Sequence, residues 1–133
     1  MKKVFHDKFQ MECTFWDNGI SFCNSLRIAY YPYGCMDSLN VSLLGVLQAV
    51  SRAQVGCFTA SRQDKAEIRD LVKQGKEKMK TATREEPVIL DLKNISVDQS
   101  LAPEEQLKAY KGLFVQGVIS KDQYDMMKML LTA

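Results

Sequence analysis

At Ser61 the chain changes its hydrophobic rhythm, from a repeat of two to one between three and four, and the change separates sheet from helix. Before it, Phe9, Met11, Cys13 and Phe15 alternate with Gln10, Glu12 and Thr14, the pattern of a strand with one buried face. Asp17-Asn18-Gly19 follows at once. Asn-Gly between alternating segments predicts a hairpin, with Ile20 to Cys23 as the return strand. Asn24 and Ser25 make the next turn, and Leu26 to Tyr31 reads as a strand with Ile28 and Tyr30 on one side. Pro32-Tyr33-Gly34 breaks it. Leu39, Val41 and Leu43 alternate, Gly45 punctuates, and Val46 to Val50 continues as a strand. After a turn at Ser51 to Gln54, Val55 to Thr59 closes the run. Six or so short antiparallel strands must curl or sandwich to bury one face.

Beyond Ser61 the spacing is helical. Ser61-Arg62-Gln63-Asp64 resembles a capping box, and Ile68, Leu71, Val72, Gly75 and Met79 form one apolar stripe running to about Lys80. That stripe has one place to go, over the open end or face of the sheet. Pro87 ends the unit; Val88 to Leu92 predicts a short strand, and Asn94 to Ser100 reads as linker. Pro103 opens a second helix at the position where its missing amide costs nothing, and Gly117 is a natural stop. Ser120-Lys121-Asp122-Gln123 predicts a capping box for a third helix. The expected fold is therefore α+β: a small antiparallel β-sandwich or barrel capped by one amphipathic helix, plus a C-terminal two-helix hairpin. The expected divisions are residues 1–86, 87–102 and 103–133.

Composition narrows the class. The chain has 133 residues, 46% hydrophobic and 26% charged, so one moderate core is affordable and wholesale disorder is excluded. A formal charge of +2 does not point to nucleic acid, which is not expected as a partner. Lys2 and Lys3 begin like a signal peptide, but His6, Asp7 and Lys8 arrive where its apolar region would be. Val41 to Val50, the greasiest stretch, falls far short of the ~20 residues of a spanning helix. Cys13, Cys23, Cys35 and Cys57 include no C-x-x-C pair and are expected to be reduced thiols. The expectation is a cytoplasmic protein, with attachment to a membrane surface as an option.

Two resemblances add to this reading. Leu107, Leu113, Gly117-Val118-Ile119-Ser120, Gln123, Tyr124, Lys128 and Leu130-Leu131 resemble the short C-terminal domain family known as SHOCT, with Gln123 in place of the usual Glu and Tyr124 in place of Phe. The match covers about a quarter of the chain. The Asn18-Gly19 hairpin, the Tyr31-Pro32-Tyr33 stretch and the strands closed by a helix look like a bacterial pleckstrin-homology (PH-like) or GRAM-like module across residues 1–86. Together these resemblances imply a non-enzymatic interaction module whose tail mediates assembly or protein contacts.

Searches for reaction chemistry find little. His6 and a cysteine formally allow a nucleophile pair, but no third orienting group is implied. The cysteines lack zinc-ligand spacing, and phosphate-loop, dinucleotide and hydrolase-elbow motifs are missing from the sequence. No catalytic residue, metal or cofactor is expected. Two surfaces remain as candidates. The first is the hairpin, where Leu107, Tyr110, Leu113, Phe114, Val118, Ile119, Tyr124, Met127, Leu130 and Leu131 are expected to bury against another copy or a protein partner, with packing in cis against the sheet domain as the alternative. Met126, Met127 and Met129 with Leu130 and Leu131 make the last helix apolar nearly all round, which favours burial on several sides. The second is a basic stripe, Arg62, Lys65, Arg69, Lys73, Lys76 and Lys80, stepping by three or four. It offers a site for an anionic lipid surface or an acidic ligand, against the plainer reading of a solvated helix edge. The tyrosines at 30, 31 and 33 are read as core and edge packing, with Tyr30 and Tyr31 on opposite faces.

Overall fold

The computed structural model describes residues 2–132 and is α+β. The strands are β1 (Lys3–His6), β2 (Glu12–Phe15), β3 (Gly19–Cys23), β4 (Arg27–Pro32), β5 (Ser38–Val41), β6 (Val46–Ser51), β7 (Gln54–Thr59) and β8 (Val88–Asp91). The helices are α1 (Lys65–Thr81), α2 (Pro103–Val115) and α3 (Lys121–Thr132). Two antiparallel sheets form, one ordered β1-β2-β3-β4-β8 and one ordered β5-β6-β7. They do not close into a barrel.

Alternation sorts the larger sheet into two faces. Phe5, Cys13, Phe15, Ile20, Phe22, Ala29 and Tyr31 point inward, where they meet Leu39, Leu47, Ala49 and Phe58 of the smaller sheet and Ile68 and Val72 of α1. Gly56 lies where the two sheets pack face to face: a Cβ there would sit 2.4 Å from the Phe22 ring. The opposite face carries Ile28 and Leu90, paired across β4 and β8, and forms a second core with Tyr110, Ile119, Met126 and Met127 of the C-terminal segment. Tyr30 belongs to this second core and Tyr31 to the first, as the alternation requires.

Several local expectations need correction. β1 has no counterpart in the alternating pattern, and Phe9 does not extend β2. The Asp7 carboxylate accepts the amides of Phe9 (2.8 Å) and Met11 (2.9 Å), and Gln10 adopts φ 65°. This side-chain-mimicked turn reverses the chain and leaves Phe9 73% exposed. β5 stops at Val41, because the Ser42 hydroxyl accepts the Val46 amide (3.0 Å) and Gly45 turns at φ 88°. Leu43 therefore leaves the alternating face and is 89% exposed. The hairpin at Asn18-Gly19 forms, with the Trp16 amide donating to the Gly19 carbonyl (2.8 Å), but Gly19 needs no positive φ. Its lack of a side chain serves close approach instead, since a Cβ would lie 2.5 Å from the Tyr31 carbonyl oxygen. At α1, the Ser61 hydroxyl accepts the Asp64 amide and donates to the Asp64 carboxylate (2.9 Å). That turn uses the cap early, so the helix starts at Lys65.

The segment after Pro87 joins the larger sheet. β8 pairs with β4 along its whole length, and the Leu92 amide extends the pairing to the Leu26 carbonyl. The linker is held by Gln106, buried in α2, whose side-chain amide donates to the carbonyls of Gln99 (3.1 Å) and Leu101 (2.9 Å). Gly117 ends α2 at φ 79°, the left-handed conformation expected of a helix stop.

Candidate functional site

The C-terminal candidates converge within one chain. Tyr110, Ile119 and Met127 are buried, and Leu113, Phe114, Tyr124, Leu130 and Leu131 pack around them against the outer face of β4 and β8. The Phe114 and Tyr124 rings stack at 5.5 Å and join α2 to α3. Met126, outside the expected set, is buried as well. Two residues depart from it. Val118 is 54% exposed, and Leu107 sits half-buried on the rim of an open groove with Tyr124 and Leu131.

The expected capping box forms in full. The Gln123 amide donates to Ser120 Oγ (3.1 Å), and the Ser120 amide donates to Gln123 Oε1 (2.8 Å). An amide donor fixes which end of the Gln123 side chain is oxygen, so Nε2 must face the other way. It donates to the Ile89 carbonyl at 2.9 Å, on the free edge of β8. One side chain thus caps α3 and ties it to the sheet. Gln123→Glu is expected to keep the cap but lose the donor, setting a carboxylate against a carbonyl. The expected loss is about 1–3 kcal/mol in denaturant unfolding at neutral pH. Only the protonated form of the new carboxyl could donate, so its folded-state pKa would rise. The deficit should then shrink as pH falls toward the ordinary carboxyl range, ~4.

The basic stripe is divided by its neighbours. Arg62 lies exposed in the turn before α1 rather than on it. The Lys65 stem lies against Gly45, where a Cβ would come within 2.8 Å of it. Arg69 Nη2 donates to the carbonyls of Leu43 (2.9 Å) and Ser42 (3.3 Å). Lys80 pairs with Glu77 at 3.0 Å. Lys73 and Lys76 are exposed and form no ion pair among the described residues. The acid at Glu67 is engaged by Lys3 (3.4 Å). Lys78, off the stripe, donates to the Asp17 carbonyl (3.0 Å) and lies 5.7 Å from the Tyr33 ring centre.

Sequence reasoning missed the surroundings of this stripe. The β5–β6 loop brings Leu43 and Leu44, 89% and 78% exposed, directly beside Arg69 and Lys65. Only the exact end of β5 could have revealed it, and alternation through Leu43 concealed that end.

The thiols are unpaired, and burial favours the protonated form of three of them. Burial pushes the Cys13 thiol well above its usual range, raises Cys23 to about 12 and also raises Cys35. Cys57 is exposed. His6 Nε2 lies 3.3 Å from Glu12 Oε2. No group of three or more potential metal ligands converges among the described residues. No described helix is long and apolar enough to cross a membrane. No protein-family model, curated protein or solved structure matches the chain.

Proposed function

We propose that the chain is a non-enzymatic module that attaches to an anionic surface through α1, with its C-terminal helices serving as an intramolecular cover for the sheet. The observation that carries this reading is the exposed, unpaired Lys73 and Lys76 one and two turns beyond Arg69. Of the acids in register with Lys73, Glu77 is engaged by Lys80, and Asp70 is exposed and forms no ion pair with Lys73. The β1–β4 run, the β5–β7 run and the helix that follows them support the resemblance to PH-like modules. The reciprocal cap and the stacked Phe114–Tyr124 pair support the SHOCT-like reading of the tail. Gln123, where that family has Glu, suits the donor needed by Ile89.

Lys73→Glu with Lys76→Glu should leave the melting temperature unchanged, because neither side chain is buried. A basic residue near an anionic bilayer contributes about 1 kcal/mol, so losing two should weaken vesicle binding by roughly thirtyfold or more. Binding by the parent should fall with ionic strength. A parent that binds no anionic matrix at low salt would overturn the reading.

A second reading, assembly through the tail, rests on the groove between α2 and α3 lined by Leu107, Tyr124 and Leu131, and on Val115, which is 76% exposed. Here the tail serves as a scaffold that binds a second copy or a protein partner. Its main sequence support was the all-round apolar α3, and Met126 and Met127 satisfy that demand within one chain.

A further inference from the structure

The β5–β6 loop is built in a way that electrostatic attachment alone does not require. Leu43 and Leu44 stand at its tip almost fully in water, while the carbonyls of Ser42, Leu43 and Gly45 are bonded from within the protein. The Ser42 amide donates to Val46, the Gly45 amide to Ser42, and the Val46 amide to Ser42 Oγ. The Gly45 carbonyl accepts the Ala60 amide (2.8 Å), and the carbonyls of Ser42 and Leu43 accept Arg69. The Leu44 carbonyl and the Leu43 and Leu44 amides form no hydrogen bond among the described residues, so entry is shallow, at the interface where water still reaches the backbone, and few polar groups are stranded. The turn carrying exposed Phe9 lines one cavity with Thr59, Ala60 and Ser61, and the Ala60 amide of that segment bonds the Gly45 carbonyl. Lys8 lies 5.2 Å from the Phe9 ring centre, and Lys65 and Arg69 line the base of the loop.

Resting on the reading above, we infer that this anionic surface is a lipid bilayer, into whose interface Leu43 and Leu44 insert, with Phe9 beside them. Apolar tips ringed by cations complement an anionic bilayer, which offers negative headgroups above and hydrocarbon below. A nucleic acid would meet the same cations but give the leucines no apolar counterpart, and an acidic protein would have to supply an apolar pocket shaped to this loop. The Arg69 guanidinium and the Lys65 ammonium stay at headgroup level while their stems line the loop.

The test uses the full chain, vesicles of phosphatidylcholine with phosphatidylserine, and immobilised heparin, a polyanion without acyl chains. Leu43→Ser with Leu44→Ser should cut vesicle affinity roughly tenfold per leucine, leaving heparin retention and melting temperature as in the parent. Vesicle binding equal to the parent's would overturn insertion and leave the electrostatic reading standing. Retention on heparin without binding to vesicles would do the same. A parent that binds neither overturns both. Independently, Leu44→Trp should show a blue-shifted emission on vesicles that brominated acyl chains quench; emission unchanged by vesicles that bind the protein also overturns insertion.

Discussion

Replacing Tyr110 by Ala should cost about 3–5 kcal/mol in denaturant unfolding, the range for emptying a fully buried aromatic site. Tyr110 is 0% exposed, at the centre of the core shared by α2, α3 and the outer face of β4 and β8, and its hydroxyl is 3.4 Å from Gln99 Nε2. Deleting residues 101–133 should act in the same direction and further. It would strip most of the cover from Ile28 and Leu90, leaving Leu92, Ile95 and Val97 beside them, so the shortened chain should melt lower and aggregate on heating. The full chain should run in light scattering as a monomer at micromolar concentration, and so should the soluble fraction of the shortened one. A dimeric parent that becomes a monomer of unchanged melting temperature on truncation would show that the tail's burial is intermolecular.

Gly56→Val should destabilise by about 3 kcal/mol or more, the upper part of the range for overfilling a packed core. Even a lone Cβ at this position meets two Phe22 ring carbons, at 2.4 and 2.6 Å, and one Tyr31 ring carbon at 2.9 Å. Those rings contact each other edge to face at 5.8 Å and are both buried, so neither can withdraw without parting the sheets. Gly112→Ala supplies the opposite sign. It lies within α2 with nothing inside 4 Å of the added carbon, and the change should stabilise by roughly 0.5–1 kcal/mol. Urea unfolding of the two variants beside the parent checks both signs.

Periodicity carried most of the architecture because each buried face had its own repeat. β3, β4, β6, β7 and α1 could be placed from alternation or helical spacing, and α2 and α3 from proline, glycine and a capping box. What failed was local competition. Asp7 and Ser42 have side chains that bond nearby amides, and each ended an alternating run that composition alone would have extended. β1 escaped because Phe5 is its one buried residue, and an edge strand this short is specified by its partner. The basic stripe was legible as spacing. Its division was not, because Arg69 is committed by carbonyls 26 and 27 residues away and Lys65 by the turn at Gly45. The tail's burial was legible too, but whether it met the sheet or a partner depended on the outward face of β4, which reads as an ordinary strand face.

The pairing of β4 with β8 has a consequence for how the protein is made. Their partners lie far apart in the chain, with all of β5–β7 and α1 between them. During synthesis from the N-terminus, β4 therefore emerges with one edge unpaired and Ile28 uncovered. The open edge lasts until α1 is complete and β8 has left the ribosome, and the greasy face waits longer still, for α2 and α3. Long-range closure of this kind slows folding and prolongs the time in which a bare edge can recruit the wrong strand. Arg27 at the mouth of that edge, opposite Asp91 in the finished sheet, places a charge there while the edge is open.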